Sequence, residues 1–309
     1  MRIIALYIIV ITAAVGCGVT AEDAPNNQEN RIILVSGITG TQGGAVAREL
    51  LKRGYIVRGL TRNTKSERAQ VMSKLGAQMV QGDFDDAMTL AAAMNDVYGV
   101  FVVTNYWEHG YDTEIRQGKQ LIEAALSANI QHFVFTSVAG ADADSGIPHF
   151  ESKSRIESHL RNSGMNYSIV RPVEFMDNVR FRRDTILSGE YFDPRDGRKS
   201  HQWIASQDIG FFVGEAFDNP HEWVGRTLEV AGDRLTIFEF VDVLSRSTGV
   251  DVKHRQLTWS EYEKQNGAEM TAMMRWFDET GYAVDISALR SQYPNLLTYQ
   301  QYLRGLDWD

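Results

Sequence analysis

The sequence predicts an α/β protein: a Rossmann-type, doubly wound parallel sheet with a smaller C-terminal α+β lobe. Three observations carry this. From Arg31 onward, short apolar runs alternate with amphipathic stretches, the rhythm of a parallel sheet covered by helices on both faces. A glycine-rich stretch, GITGTQGG (37–44), lies directly between the first apolar run, RIILVS, and the first helical one, AVARELLKRG. Beyond Arg171 the rhythm breaks into longer irregular stretches, which sets off the lobe.

In chain order, strands are expected over 32–36, 56–61, 78–81, 99–104, 132–137 and 166–170, short apolar runs that suit strands buried on both faces. Between them, helical patterns cover 43–53, 66–75, 87–94, 113–128 and 150–163. Gly54, Gly76 and Gly164 supply the stops, because glycine tolerates the left-handed backbone that ends a helix. One further strand, TLEVAG (227–232), is assigned back to the sheet. Three late helices open with capping-box patterns: Thr236 with Glu239, Thr258 with Glu261, and Thr298 with Gln301. The expected division is therefore a sheet domain over 31–175, with the late strand added, and a lobe over 176–309.

Composition narrows the class. With 309 residues, 43% of them hydrophobic, the chain can bury a full-sized core. Its formal net charge of −9 argues against nucleic acid, whose affinity comes mainly from Lys and Arg neutralising phosphates. The single cysteine, Cys17, excludes an intramolecular disulfide and a cysteine-based metal site. The first segment has a basic start, an apolar core over 3–15 and then small residues before acid, which is the layout of an export leader over 1–21. It reads as a signal peptide cleaved after Val19-Thr20-Ala21, as a lipoprotein leader lipidated at Cys17, or as a membrane anchor close to the ~20 residues that span a bilayer. A mis-assigned start codon, with a cytoplasmic chain, is the alternative. The polar stretch 22–30 then serves as a linker.

The glycines have separate duties in a strand–turn–helix unit. The first permits the tight turn, the second lets backbone approach a pyrophosphate, and the third lets helix pack on strand. Gly37, Gly40 and Gly43 stand at that spacing, and the amides opening the helix then face an anion with the favourable end of the helix dipole. The end of the second strand reads GLTRNTKS, with Arg62 at its tip, Lys65 just behind and no carboxylate. A guanidinium fork suits a 2′-phosphate, so NADP(H) is expected in preference to NAD(H).

At this point the residues resemble a known family. The segments VSGITGTQGGAVARELLKRG, VRGLTRNTKS, VQGDFDD, VFVVTNYWE, RQGKQLIEAA and HFESK together are similar to the NmrA-like family of atypical short-chain dehydrogenases, most of all its animal redox-sensor branch, whose members bind NADPH and act as regulators. The resemblance puts Gly37, Thr39, Gly40, Thr41, Gln42 and Gly43 on the pyrophosphate. It puts Arg62, Asn63, Lys65 and Ser66 around the 2′-phosphate, and Asp83 with Phe84 beside the adenine. Thr104, Asn105 and Tyr106 would line the nicotinamide side, Lys153 would meet the ribose, and Phe175, Met176, Asp177 and Asn178 would close the pocket.

Classical relatives use Tyr-x-x-x-Lys, where the lysine lowers the pKa of a phenol of intrinsic pKa ~10. Here HFESK puts His149 where that tyrosine would stand, while Lys153 remains and Ser137 falls near the catalytic serine. The sequence therefore supports a redox sensor with weak or no turnover. Its alternative is a reductase of a small quinone, carbonyl or enone with Lys153 or His149 as acid, and a third reading is a structural protein with a degenerate pocket. The remaining histidines show no metal-ligand spacing, so no metal is expected. Expected partners are the dinucleotide, a small-molecule substrate, and a protein client or second copy of the chain; a membrane enters only through the leader. Met270, Met273, Met274 and Phe277 form a helical stripe that reads as core or pocket wall, and Tyr106 with Trp107 as the floor of a substrate cavity.

Overall fold

The computed structural model describes residues 30–308; the expected leader and the linker up to residue 29 lie outside the described residues. The first half of the chain alternates strand and helix: β1 (Ile32–Val35), α1 (Thr41–Lys52), β2 (Ile56–Thr61), α2 (Glu67–Lys74), β3 (Gln78–Gln81), α3 (Ala87–Met94), β4 (Gly99–Val102), α4 (Tyr106–Ser127), β5 (His132–Thr136), α5 (Pro148–Asn162) and β6 (Tyr167–Pro172). The second half is more broken. It runs β7 (Glu174–Phe175), a 3-10 helix (Met176–Arg182), α6 (Arg183–Leu187), β8 (Glu190–Asp193), β9 (Ser200–Ile204), α7 (Ser206–Asp218), α8 (Pro220–Trp223), β10 (Thr227–Val230) and β11 (Asp233–Thr236). It closes with α9 (Ile237–Thr248), β12 (Lys253–Gln256), α10 (Trp259–Asn266), α11 (Ala268–Glu279), α12 (Ile286–Gln292) and α13 (Tyr299–Arg304).

Seven strands form one parallel sheet in the order β10-β6-β5-β4-β1-β2-β3. The central strands β4 and β5 are buried along their whole length, in keeping with the apolar centres VFV and FVF. On one face, Leu90 of α3, Leu121 and Ile122 of α4, and Ile156 and Leu160 of α5 pack on Phe133, Phe135 and Ile169. On the other, Val46, Ala47 and Leu50 of α1 meet Phe212, Val213 and Phe217 of α7.

In that second layer α7 and the buried Trp223 of α8 pack with the sheet, as β10 does by joining it. Close approach explains why α7 belongs there. A Cβ on Gly210 would lie 2.9 Å from the Ala45 carbonyl oxygen, so this pairing of α1 with α7 needs glycine at the crossing. Arg53 then ties the two helices electrostatically, reaching Glu49 at 2.8 Å, Glu215 at 2.8 Å and Asp218 at 2.5 Å.

The lobe has its own core of Trp203, Phe240 and Tyr299, built on a small sheet of order β11-β9-β7 and on α9 and α13. A second cluster, Tyr262, Met274 and Phe277 with Ile147 and Phe150, lays α10 and α11 against the start of α5. All three capping boxes form, and Gly54, Gly76 and Gly164 each take a positive φ past a helix end. Two of the boundary differences bear on the site. β4 stops at Val102, which releases Thr104 into a loop, and α4 begins at Tyr106, because Tyr106 to His109 form an extra turn set off from the long helix by Gly110 (φ 77, ψ −174).

Candidate functional site

The strand order reverses between β1 and β4, and at such a switch point the connections leave for opposite faces and open a crevice at the carboxyl edge. A cleft of about 1110 Å³ runs from that point to the lobe.

Its first wall is the turn after β1. Gly37 takes φ +59, and its carbonyl accepts from Gly40 N at 2.8 Å. A Cβ on Gly43 would stand 2.3 Å from that same carbonyl oxygen, so the start of α1 can lie against the turn only with glycine here. Gly40 caps α1 without a side chain, which leaves the first helical amides free of side-chain acceptors and directed at the cleft. Gln42 Oε1 accepts from Thr136 Oγ1 at 2.8 Å and ties the turn to the end of β5. Gly37, Thr39, Gly40, Thr41, Gln42 and Gly43 all line the cleft.

At the β2 end, Arg62 lines the cleft and donates through Nη1 to Glu108 Oε1 at 2.6 Å. The three residues expected beside it lie on the loop that follows. Asn63 Oδ1 accepts from Lys65 N at 2.9 Å in a local turn, and Ser66 Oγ accepts from Ala69 N at 3.3 Å as the cap of α2, so Asn63, Lys65 and Ser66 shape the loop outside the cleft wall. Arg68, in the first turn of α2, also lines the cleft. Asp83 and Phe84 follow β3 and line it as expected, with Asp83 Oδ1 accepting from Asp85 N at 3.0 Å.

The middle of the cleft holds a buried polar network. Lys153 Nζ donates to Thr104 Oγ1 at 2.6 Å, to Glu114 Oε1 at 2.7 Å and to the Thr104 carbonyl at 3.2 Å. Thr104 Oγ1 donates to Glu114 Oε1 at 2.8 Å, and Ser152 Oγ donates to the other Glu114 oxygen. Glu114 is fully buried. Burial alone would push its carboxyl up, but the charge and hydrogen bonds of Lys153, with Ser152 and Thr104, hold it below the usual range. All three Lys153 protons thus have acceptors within the protein, which fixes the position of the ammonium in the cleft wall.

His149, the alternative acid to Lys153, sits in a largely buried aromatic setting. Burial first, and Lys153 second, bring its pKa down to about 4, so the ring is neutral at pH 7. It packs as an aromatic wall, with ring centroids 5.6 Å from Tyr106, 5.0 Å from Trp107 and 4.8 Å from Phe150. Its Nδ1 has no hydrogen-bond partner, and neither has the buried Ser137 Oγ, which lines the cleft beside Thr104 and Lys153. Asn105 and Tyr106 also line this part.

Toward the lobe, Phe175 and Asn178 line the cleft. Met176 and Asp177 do not. The 3-10 helix turns them inward, where Met176 is fully buried in the lobe core and its carbonyl accepts from Tyr299 Oη at 3.0 Å. Asp177 accepts from Ser206 N at 2.9 Å and Ser206 Oγ at 2.8 Å, fixing the start of α7. On the lobe side the cleft is also lined by Met270, Met273, Met274, Phe277 and Tyr282, and by Tyr191, Trp203 and Phe240, which make this part an apolar chamber. Trp107 and Phe181 line its exposed mouth.

Sequence reasoning missed Glu114 and Glu108. Glu114 left a faint signal, a charge on the apolar stripe it shares with Gly118, Leu121, Ile122 and Ala125. Glu108 left none, because its role comes from a side chain across the cleft.

An uncapped helix start cradled by glycine, two arginines at one end and an unpartnered hydroxyl at the other form a site that fits a long anionic dinucleotide. Together with the seven-stranded parallel sheet, they define a Rossmann-type protein of the atypical short-chain dehydrogenase kind. The chain belongs to the NmrA-like family, whose model matches residues 29–303. It is 28% identical to an NmrA-like family domain-containing protein of Dictyostelium discoideum, over 89% of this chain and 98% of that one. An NmrA-like family domain-containing oxidoreductase of Aspergillus hancockii is 30% identical over 75% of this chain and 77% of its own. Among solved structures, the Citrobacter sp. triphenylmethane reductase complexed with NADP(H) superposes with a TM-score of 0.76 at 19% identity, covering 88% of this chain and 99% of that one. NmrA, a negative transcriptional regulator, superposes at 0.75 and 19%, covering 90% and 99%.

Proposed function

We propose that the chain binds NADP(H) along the cleft and reduces a conjugated, apolar acceptor of the quinone or enone class in the chamber beyond it. The observation that carries this reading is continuity: one cleft leads from the open amides of α1, past Ser137 and Lys153, into an aromatic and methionine-lined space. The relative from Aspergillus hancockii, named an oxidoreductase, supports it, as does the NADP(H) bound by the Citrobacter reductase.

When bound, the nucleotide supplies a hydride at its nicotinamide ring. Gly40 to Gly43 hold the diphosphate by backbone amides, and Arg62 with Arg68 provides positive charge for the 2′-phosphate. Lys153, locked by Glu114 and Thr104, keeps a positive potential under the reacting end. Ser137 Oγ, having no partner of its own, donates to an acceptor oxygen.

With His149 neutral and Lys153 fully engaged, a strong proton donor is missing from this set. That selects the acceptor. A quinone or enone that gains hydride becomes a delocalised phenolate or enolate and takes its proton from water, whereas a simple aldehyde becomes a strongly basic alkoxide that needs an acid, worth ~10²–10⁴ in rate.

The same lack of an acid favours a second reading, a redox sensor that binds the nucleotide without turnover, as befits a fold shared with a transcriptional regulator. NADPH oxidation by the full chain, followed by absorbance, separates the two. Sustained turnover with quinones or enones, at least ~10²-fold faster than with aldehydes and abolished in Lys153→Met, is the expected result. Tight NADPH binding with no turnover on any acceptor would favour the sensor, and no binding at all would leave only a structural role.

A further inference from the structure

At the adenosine end of the cleft, the side chain suited to a 2′-phosphate already has a partner. Arg62 Nη1 donates to Glu108 Oε1 at 2.6 Å, and Glu108 Oε2 accepts from Asn105 Nδ2 at 3.2 Å. Glu108 comes from the opposite wall, on the short turn that opens α4, and reaches over the cleft to the tip of β2. Gly110 interrupts the helix just behind it, so this turn can pivot without unwinding the long part of α4.

We propose that Glu108 is the residue that sets nucleotide specificity here, competing with the 2′-phosphate of NADP(H) for Arg62 and accepting from the ribose hydroxyls of NAD(H). This deepens the dinucleotide reading above and rests on it. The chemistry of the pair is two-sided. A 2′-phosphate brings close to two negative charges and must take the guanidinium from Glu108, while the carboxylate turns away from it. A 2′-hydroxyl brings a donor and no charge, and a carboxylate at this position is the acceptor that NAD sites ordinarily supply at the end of the second strand. The sequence places no carboxylate on the loop after β2; the fold brings one in from α4. Glu108 therefore narrows a preference that Arg62 and Arg68 alone would make steep.

Both members of the pair are open to solvent, at 60% and 36% side-chain exposure, so its effect is a few-fold change rather than orders of magnitude. Calorimetric titration of the full chain with NADPH and with NADH tests it, on the wild type, Glu108→Gln, Arg62→Met and the double variant. Glu108→Gln is expected to raise NADPH affinity about threefold to fivefold and to weaken NADH, widening their ratio. In the Arg62→Met background the same change should no longer raise NADPH affinity, because the competition acts through Arg62. A Glu108→Gln protein whose NADPH-to-NADH ratio equals that of the wild type would overturn the assignment while leaving nucleotide binding intact. A wild-type chain that binds neither nucleotide would overturn both.

Discussion

Replacing Gly43 by alanine tests the glycine cradle at a single atom. The added Cβ would meet Gly37 O at 2.3 Å, Gly37 C at 2.5 Å and Ser36 O at 2.6 Å, all backbone of the strand–turn unit. Ordinary van der Waals contact begins at 3.4 Å, so the start of α1 must retreat by about 1 Å (3.4 less 2.3). Overpacking of this kind costs ~1–3 kcal/mol in stability. The functional loss should be larger. The same 1 Å withdraws the helix amides from the diphosphate, and a misplacement of that size is worth ~10²-fold. Fluorescence titration with NADPH and a urea unfolding curve on the same protein read the two effects. Gly54→Ala is the control: its Cβ meets nothing within 4 Å and its φ of +87 carries only local strain, so it should lose stability without losing nucleotide. A Gly43→Ala protein that bound NADPH within about threefold of the wild type would refute the cradle, since a ~10²-fold loss is required.

Other consequences are equally open to measurement. His132, His149 and His201 are each held near a pKa of about 4, burial being the first cause in all three, so the folded chain keeps them neutral while the unfolded chain protonates them below pH ~6.5. Their contribution is present above pH ~6.5 and lost as pH falls toward about 4, on the order of 3 kcal/mol for each; urea midpoints should drop steadily through that window, and a flat profile would contradict it. Turnover should show no inflection near pH 6.5 from His149, and His149→Phe should keep most of the rate; a tenfold loss with altered pH dependence would restore the acid role. Glu114→Gln leaves the largely covered Lys153 ammonium, 12% exposed, without its counter-charge and should cost ~3 kcal/mol, with NADPH binding weakened as well. Arg53→Met removes the guanidinium shared by Glu49, Glu215 and Asp218; because these groups are partly exposed, ~2–3 kcal/mol is expected, read as a lower Tm with nucleotide affinity little changed at low temperature.

What the sequence disclosed follows from how local each signal is. β4 and β5 are buried along their length, so their central residues are apolar and their runs are short. The capping boxes at Thr236, Thr258 and Thr298 involve residues three apart, and nothing distant can disturb them. By contrast, α7 buries nine of its thirteen residues, lacks a clear polar face, and carries Gly210 and Gly214, which lower helix propensity while permitting contact with α1. Its place under the sheet is a tertiary fact. The cleft divides the same way. The glycine turn and Arg62 are fixed by their position after strands, whereas Asn63, Lys65 and Ser66, which the resemblance placed around the 2′-phosphate, also build a turn and a helix cap that the sequence reading did not foresee. Met176 and Asp177 lie between cleft residues, but a 3-10 helix sends neighbours in different directions. The ordinary pKa of histidine made His149 look chemically able; only its burial beside Lys153 removes the proton.

The most direct measurement is a crystal structure of the full chain grown with NADPH. The diphosphate should lie against the amides of residues 40–43, the 2′-phosphate within reach of Arg62, and the nicotinamide beside Ser137 and Lys153 with its reactive face toward the methionine-lined chamber. A nucleotide found elsewhere, or a glycine turn with no phosphate against it, would contradict the proposed role of the cleft.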